Sequence, residues 1–166
     1  DQTGQSTENT CTECAKGKYL DNEGQTSESE CKFCPLSTYS STLGAIASTS
    51  CYLCPAGRQS SVAGTQLSDC AVCGNGRYQN EEGQNFCHGC VKGKFGDETT
   101  QISESNACKA CPTGRWSSVV GHGSACTACE KGKYNDQHTQ TLITACTACN
   151  QGKYNDLVGQ GSSNDC

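Results

Sequence analysis

The sequence predicts a small disulfide-rich fold: an elongated rod of tandem hairpin modules, each about 19 residues long and closed by one disulfide, with little regular β-structure and essentially no helix. Three observations carry this prediction. C-x2-C pairs recur eight times, from Cys11/Cys14 to Cys146/Cys149, and Cys166 closes the series. Successive pairs begin 20, 20, 19, 17, 21, 18 and 20 residues apart. Hydrophobic residues, cysteine included, reach only 33%, too little apolar surface to offset the entropy of ordering one compact domain. With 17 cysteines, covalent cross-links take the place of a core, as in proteins of oxidising, secreted or cell-surface compartments.

The residues between the pairs repeat as well. Units are named here by their opening cysteine, the second of each pair. Three residues after it stands glycine: Gly17, Gly57, Gly76, Gly93, Gly114, Gly132 and Gly152, with Ser37 the exception. A basic residue follows in seven of eight units, then an aromatic: Tyr19, Tyr39, Tyr78, Phe95, Trp116, Tyr134 and Tyr154, with Gln59 the exception. The glycine suits a turn just after the cysteine. The basic–aromatic pair suits a short strand, and the ring is expected to cover the adjacent disulfide. A second glycine ten residues on, replaced by Thr100 and Thr139 in two units, marks the reversal toward the closing cysteine. No window holds an apolar helical period, so helix is not expected anywhere. Two flavours of unit occur, CPxGRxSSxxG at Cys54 and Cys111 and CxxGK[YF]xD at Cys14, Cys90, Cys129 and Cys149.

The predicted repeats are 12–31, 32–51, 52–70, 71–87, 88–108, 109–126, 127–146 and 147–166. Residues 1–11 align with 21–31 and read as the C-terminal half of a truncated repeat, so the sequence is expected to be a window on a longer array.

Two readings of the cysteines compete. If each opening cysteine bonds the next pair's first cysteine, the bridges are Cys14–Cys31, Cys34–Cys51, Cys54–Cys70, Cys73–Cys87, Cys90–Cys108, Cys111–Cys126, Cys129–Cys146 and Cys149–Cys166. Only Cys11 is left over, bonded outside the window. Four-cysteine zinc sites are the alternative, since C-x2-C-x16-C-x2-C lies within their spacing range. Paired zinc sites alternate loop and linker, whereas these intervals are alike, and eight pairs strand Cys166. Disulfides are the better reading, and no metal or cofactor is expected.

Net charge is −5, with acidic and basic residues interspersed, which disfavours nucleic-acid binding. No apolar run approaches membrane-spanning length. His88, His122 and His138 are isolated at non-equivalent positions, and Glu81-Glu82 and Asp97-Glu98 read as solvated turn acids. No nucleophile–base set or phosphate loop stands out, so no catalytic residue is assigned. No Asn-x-Ser/Thr sequon occurs; Ser40, Ser41, Ser60, Ser61, Ser117 and Ser118 are candidate acceptors of O-linked sugars.

With CPAGRQSSVAG at Cys54, CPTGRWSSVVG at Cys111 and CxxGKY at Cys14, Cys129 and Cys149, the chain resembles ephrin-receptor-like cysteine-rich repeats. These are relatives of the single-disulfide module of tumour-necrosis-factor and growth-factor receptors. The resemblance implies an elongated, nearly helix-free rod with the pairing given above. The chain departs from receptor ectodomains in being a pure run of one module, which resembles large surface or fibre-forming proteins. The expected function is therefore a non-enzymatic, secreted or cell-surface structural repeat, in a fibre, surface coat or flagellar-hair-like filament, with itself or other extracellular proteins as partner. A receptor or adhesion ectodomain stalk is the alternative.

Overall fold

The computed structural model describes residues 12–166. Cys11 and the truncated repeat 1–11 lie outside the described residues. Each unit begins with a tight turn. In the Cys54 unit the Arg58 N–H donates to the Pro55 carbonyl at 3.1 Å, and Gly57 between them holds φ 80°. A turn of this kind demands positive φ at its third residue, a conformation that an ordinary side chain disfavours.

The chain leaving that turn pairs with the two residues that follow the closing cysteine. Seven two-residue antiparallel ladders result. They are β1 (Lys18–Tyr19) with β2 (Lys32–Phe33), β3 (Thr38–Tyr39) with β4 (Tyr52–Leu53), β5 (Arg58–Gln59) with β6 (Ala71–Val72), and β7 (Arg77–Tyr78) with β8 (His88–Gly89). The series continues with β9 (Lys94–Phe95) and β10 (Lys109–Ala110), β11 (Arg115–Trp116) and β12 (Thr127–Ala128), and β13 (Lys133–Tyr134) and β14 (Thr147–Ala148). In the seven C-x2-C pairs from Cys31/Cys34 to Cys146/Cys149 the middle residues are thus a strand, and the two cysteines sit at its ends.

Among the described residues helix is confined to single turns, in keeping with the expectation of essentially no helix. One α-helical turn, α1 (Glu104–Ala107), precedes Cys108, and 3-10 turns precede five other closing cysteines. Local capping supports four of the six, while the turns before Cys51 and Cys146 carry no side-chain cap. The Ser103 hydroxyl accepts from the Asn106 N–H, and Asp69 and Ser162 make capping boxes. The Cys90 unit closes its disulfide over the longest sequence separation, 18, which leaves room for the full turn.

Stacking of units follows one register at most joints. In the Cys111 unit the Gly114 N–H donates to the Asn135 carbonyl of the next unit, and the Ser117 N–H donates to the Gln140 carbonyl at 2.9 Å. The Thr139 N–H of that next unit donates back to the Cys111 carbonyl, also at 2.9 Å. Expressed by position, the third and sixth amides of one unit bond the sixth and eleventh carbonyls of the following unit. The tenth amide of the follower bonds the opening cysteine's carbonyl. The same three bonds join the units at Cys14, Cys54, Cys90 and Cys129 to their followers. Contact extends one unit further. A Cβ on Gly57 would stand 2.6 Å from the carbonyl oxygen of Thr100, two units along, and one on Gly114 would collide with the Gly159 carbonyl. The third residue is glycine for two reasons, its turn and this close approach.

The interior of the stack is therefore backbone, cystine and a few polar side chains. The buried residues are mostly cysteines, with Ala45 and Ala107. Beside them lie the sixth residues of the units, among them Ser40, Ser60, Gln79, Ser117 and Asn135. This is a small, disulfide-rich array of tandem modules with little regular β-structure.

Candidate interaction surface

The structure joins Cys14–Cys31, Cys34–Cys51, Cys54–Cys70, Cys73–Cys87, Cys90–Cys108, Cys111–Cys126, Cys129–Cys146 and Cys149–Cys166. Cα–Cα separations run from 5.4 Å at Cys90–Cys108 to 5.8 Å at Cys14–Cys31, the range in which a cystine sits without backbone movement. Each bridge closes a loop of 14 to 18 residues, for which the chain-entropy model gives about 3 kcal/mol.

Six of the module aromatics, Tyr19, Tyr39, Tyr78, Phe95, Trp116 and Tyr134, are half-buried. Tyr154, whose unit has no paired strand, is 81% exposed. Where ring contacts are defined, the adjacent disulfide is that of the next unit. Tyr78 packs on Cys90, Ala107 and Cys108, which belong to the next unit. Trp116 lines a cleft with Cys129 and Cys146, again the next unit's bridge. The ring reaches forward because the sixth residue, beside it, turns into the stack and carries the unit-to-unit bonds. Across the ladders, Tyr39 and Tyr52 lie 5.9 Å apart, and Tyr78 stacks on His88 at 5.4 Å.

Arginine and lysine at the basic position do different things. Arg58, Arg77 and Arg115 donate from the guanidinium to the carbonyl of their own closing cysteine, Cys70, Cys87 and Cys126, at 2.9, 3.4 and 2.8 Å. Lys18 and Lys94 instead meet the carboxylates of Glu28 and Glu104 at 3.0 and 2.8 Å. Those two lysine units add a second ion pair across the ladder, Asp21 with Lys32 at 2.7 Å and Asp97 with Lys109 at 2.6 Å. The lysine hydrogen bond holds each aspartate carboxyl below its ordinary value and each lysine above. A planar guanidinium reaches a fixed carbonyl, whereas an ammonium is a point charge that needs a counter-ion.

Three of the candidate glycan acceptors are corrected by burial. Ser40, Ser60 and Ser117 are 0%, 6% and 1% exposed, because the sixth position faces the stack. Their neighbours Ser41, Ser61 and Ser118 are exposed. Among the histidines, His122 lies between Ser117 Oγ at 2.6 Å and Ser124 Oγ at 3.1 Å. With Ser117 buried, that pair braces a turn rather than meeting a substrate. Glu81 accepts from the Gln84 side chain, and Asp97 is paired as above. Among the described residues no group of three or more His, Cys, Asp and Glu side chains is placed to hold a metal ion. Nor is any helix there long and apolar enough to cross a membrane.

What the molecule offers a partner is its outer surface. Sequence reading missed the sixth and eleventh positions that organise the inside. Two signals mark them: the sixth residue is never charged, and the eleventh is glutamine at Gln25, Gln84, Gln101, Gln140 and Gln160.

The fold and its cystine ladder define the class, an extracellular-type, disulfide-rich tandem-module protein. Residues 2–51 and 61–106, together more than half the chain, match the family model described as tyrosine-protein kinase ephrin type A/B receptor-like, and the chain belongs to that family of ephrin-receptor-like repeats. Comparison with curated proteins gives no match. Family and disulfides together point to an extracellular or cell-surface, receptor-ectodomain type of module rather than a catalytic one.

Proposed function

We propose that the chain is a structural extracellular rod, a segment of a fibre, surface coat or flagellar-hair-like filament, that works by self-association and not by catalysis. The observation that carries this is the repetitive stack. The same three backbone bonds recur at five of the seven joints between units, so stiffness is built into the repeat and not into any one site. Repeating, equivalent surfaces favour association between copies, and a rotation that does not close gives a filament. Exposed Ser41, Ser61 and Ser118 are the remaining serine acceptors for O-linked sugars.

Sedimentation velocity and electron microscopy of native protein test the reading. Concentration-dependent association and filaments are expected; a lone monomer at all concentrations overturns it. Membership in an ephrin-receptor-like family favours a second reading, a receptor or adhesion stalk. That reading expects saturable binding to a different extracellular protein by a chain that stays monomeric.

A further inference from the structure

In all seven ladders the residue opposite the fourth position of a unit is apolar or glycine, Phe33, Leu53 and Val72 among them. Thr12–Glu13, the corresponding pair before Cys14, belongs to no ladder and puts an acid at that place. Lys153–Tyr154 is the matching half, a basic–aromatic pair that also belongs to no ladder. Its counterparts Lys18, Lys94 and Lys133 each meet a carboxylate, on Glu28, Glu104 and Glu130. Among the described residues neither Lys153 nor Glu13 has an ion-pair partner.

The stacking bonds are open at the same two places. The Gly152 and Asn155 amides and the Cys149 carbonyl have no backbone partner among the described residues, and neither do the Leu20 and Gln25 carbonyls and the Gly24 amide. These are the repeat positions that make the three bonds of the regular joints. A Cβ on Gly24, Gly132 or Gly152 would meet nothing within 4 Å, whereas one on Gly17, Gly76 or Gly93 would meet backbone two units along. A cavity of about 470 Å³ lies beside Gly44 and Ala45, lined by Glu13, Leu20, Asp21, Glu23 and Ile46. Gly44 and Ala45 stand at the repeat positions of Gly159 and Gln160, the residues that Gly114 approaches from two units back. Of the three carboxylates in the cavity, only Asp21 has a cation among the described residues, Lys32 at 2.7 Å.

We propose that these two faces meet between copies: Lys153–Tyr154 of one chain pairs with Thr12–Glu13 of another, and the Cys149 unit stacks on the Cys14 unit in the regular register. The proposal rests on the self-association reading above. The Gly152 and Asn155 amides then donate to the Leu20 and Gln25 carbonyls, and the Gly24 amide donates to the Cys149 carbonyl. In the ladder register Lys153 stands opposite Glu13, a favourable cross-strand pair, and Tyr154 stands opposite Thr12. Main-chain groups alone would accept any strand, so charge selects the occupant. The cavity presents two carboxylates without a cation, and every other basic–aromatic pair of the described units is already in a ladder. The two faces differ, so the contact is heterologous and propagates from copy to copy.

Sedimentation velocity on the full chain, disulfides intact, tests this joint with wild type, Glu13→Lys, Lys153→Glu, and Lys92→Glu as a control at an exposed lysine of the Cys90 unit. Intact mass before and after reduction reports whether the bridges have formed in each. Wild type is expected to form species beyond the dimer. Each reversal at Glu13 or Lys153 is expected to weaken association roughly tenfold, with the control unchanged. An equimolar mixture of those two variants is expected to associate again, because each reversed face finds its complement on the other chain. Hydrogen exchange on the wild type, which needs no variant, is expected to show concentration-dependent protection at Gly24, Gly152 and Asn155. Association that survives both reversals, or a wild type that stops at a dimer, overturns this joint and leaves self-association standing. A wild type that stays monomeric overturns both. Protection at those three amides that does not change with concentration means that the chain fills the site itself, and the proposal fails.

Discussion

The joint between the Cys90 and Cys111 units and the joint between the Cys34 and Cys54 units use the same repeat positions and are held differently. In the first, Gly93 donates to the Ser117 carbonyl and Gly96 to the His122 carbonyl, both at 2.9 Å, and Gly121 donates to the Cys90 carbonyl at 2.7 Å. The buried Ser117 hydroxyl is satisfied by His122 Nδ1 and the Val119 N–H. In the second, Ser37 stands where glycine is usual, at φ 60°, and its side chain rather than its amide bonds the Ser60 carbonyl. The bridge falls on Gly64, the tenth residue, where other units use the eleventh. Gly64 donates to the Thr38 carbonyl, and among the described residues no amide reaches the Cys34 carbonyl. The Ser40 hydroxyl is buried without a partner there. Backbone ladders are generic enough to survive a one-residue shift; the side-chain complement built around the usual register is not.

The largest expected difference comes from removing a cystine on each side of this comparison. Loop closure for Cys111–Cys126 and Cys34–Cys51, with sequence separations of 15 and 17, differs by only about 0.1 kcal/mol. Each double Cys→Ser variant should therefore lose about 3 kcal/mol from the loop term alone. Any excess reads the packing of the joint. Cys111 and Cys126 are both buried, whereas Cys51 is half-buried. Chemical denaturation should show the greater loss for Cys111→Ser/Cys126→Ser; equal losses would mean that the joints pack alike.

Next comes the third residue. Gly114→Ala places a methyl against the Gly159 carbonyl at φ 74°, and should cost about 2–3 kcal/mol from strain and crowding together. Ser37 already carries a Cβ at the same position, so Ser37→Ala should lose only its hydrogen bond to Ser60, about 1 kcal/mol. Melting temperatures of the two variants check the ratio. A mild Gly114→Ala would show that the contact across two units is slack.

The sixth residue gives a smaller contrast with a change of sign. Ser117→Ala removes the acceptor of the Val119 amide and the partner of His122, and should destabilise by about 1–2 kcal/mol. Ser40→Ala deletes a hydroxyl that has no partner among the described residues and should be neutral or stabilising. A clear loss in Ser40→Ala would reveal a water bonded to that hydroxyl.

These contrasts also mark where the sequence was legible. The period, the hairpin class and the turn glycines are written in residue identity, because each depends on chemistry within one unit. Ser37, Thr100 and Thr139 look like lapses in the pattern, yet each holds the positive φ of the glycine it replaces, since the fold and not the residue sets the backbone there. The stacking register was not legible. It is carried by main-chain amides and carbonyls, which every residue has, so Ser40 and Ser117 read as exposed acceptors when they are buried. The forward reach of Tyr78 and Trp116 was hidden for the same reason, as it depends on how one unit sits on the next.

The smallest effect is electrostatic, and it separates the same two regions by pH and salt. In the Cys90 unit the hydrogen bond from Lys109 lowers the Asp97 carboxyl below 3.8 and raises Lys109 above 10.5. Stabilisation from Asp97 is present above pH 3.8 and is lost as pH falls through its folded value. Stabilisation from Lys109 is present below pH 10.5 and is lost as pH rises through its own. In the Cys54 unit Asp69 is lowered chiefly by the Thr65 amide, with the Gln66 amide also donating, so it has an acid limb and no cationic partner to add an alkaline one. All three groups are exposed, so the effects are small. Thermal melts across pH should show Asp97→Asn flattening both limbs and Asp69→Asn only the acid one. At 1 M salt, where the screening length is about 3 Å, the Asp97 contribution should shrink markedly while Asp69, bonded to backbone amides, keeps most of its own. If salt weakens both equally, Asp69 acts through long-range charge and not through the amides that cap its turn.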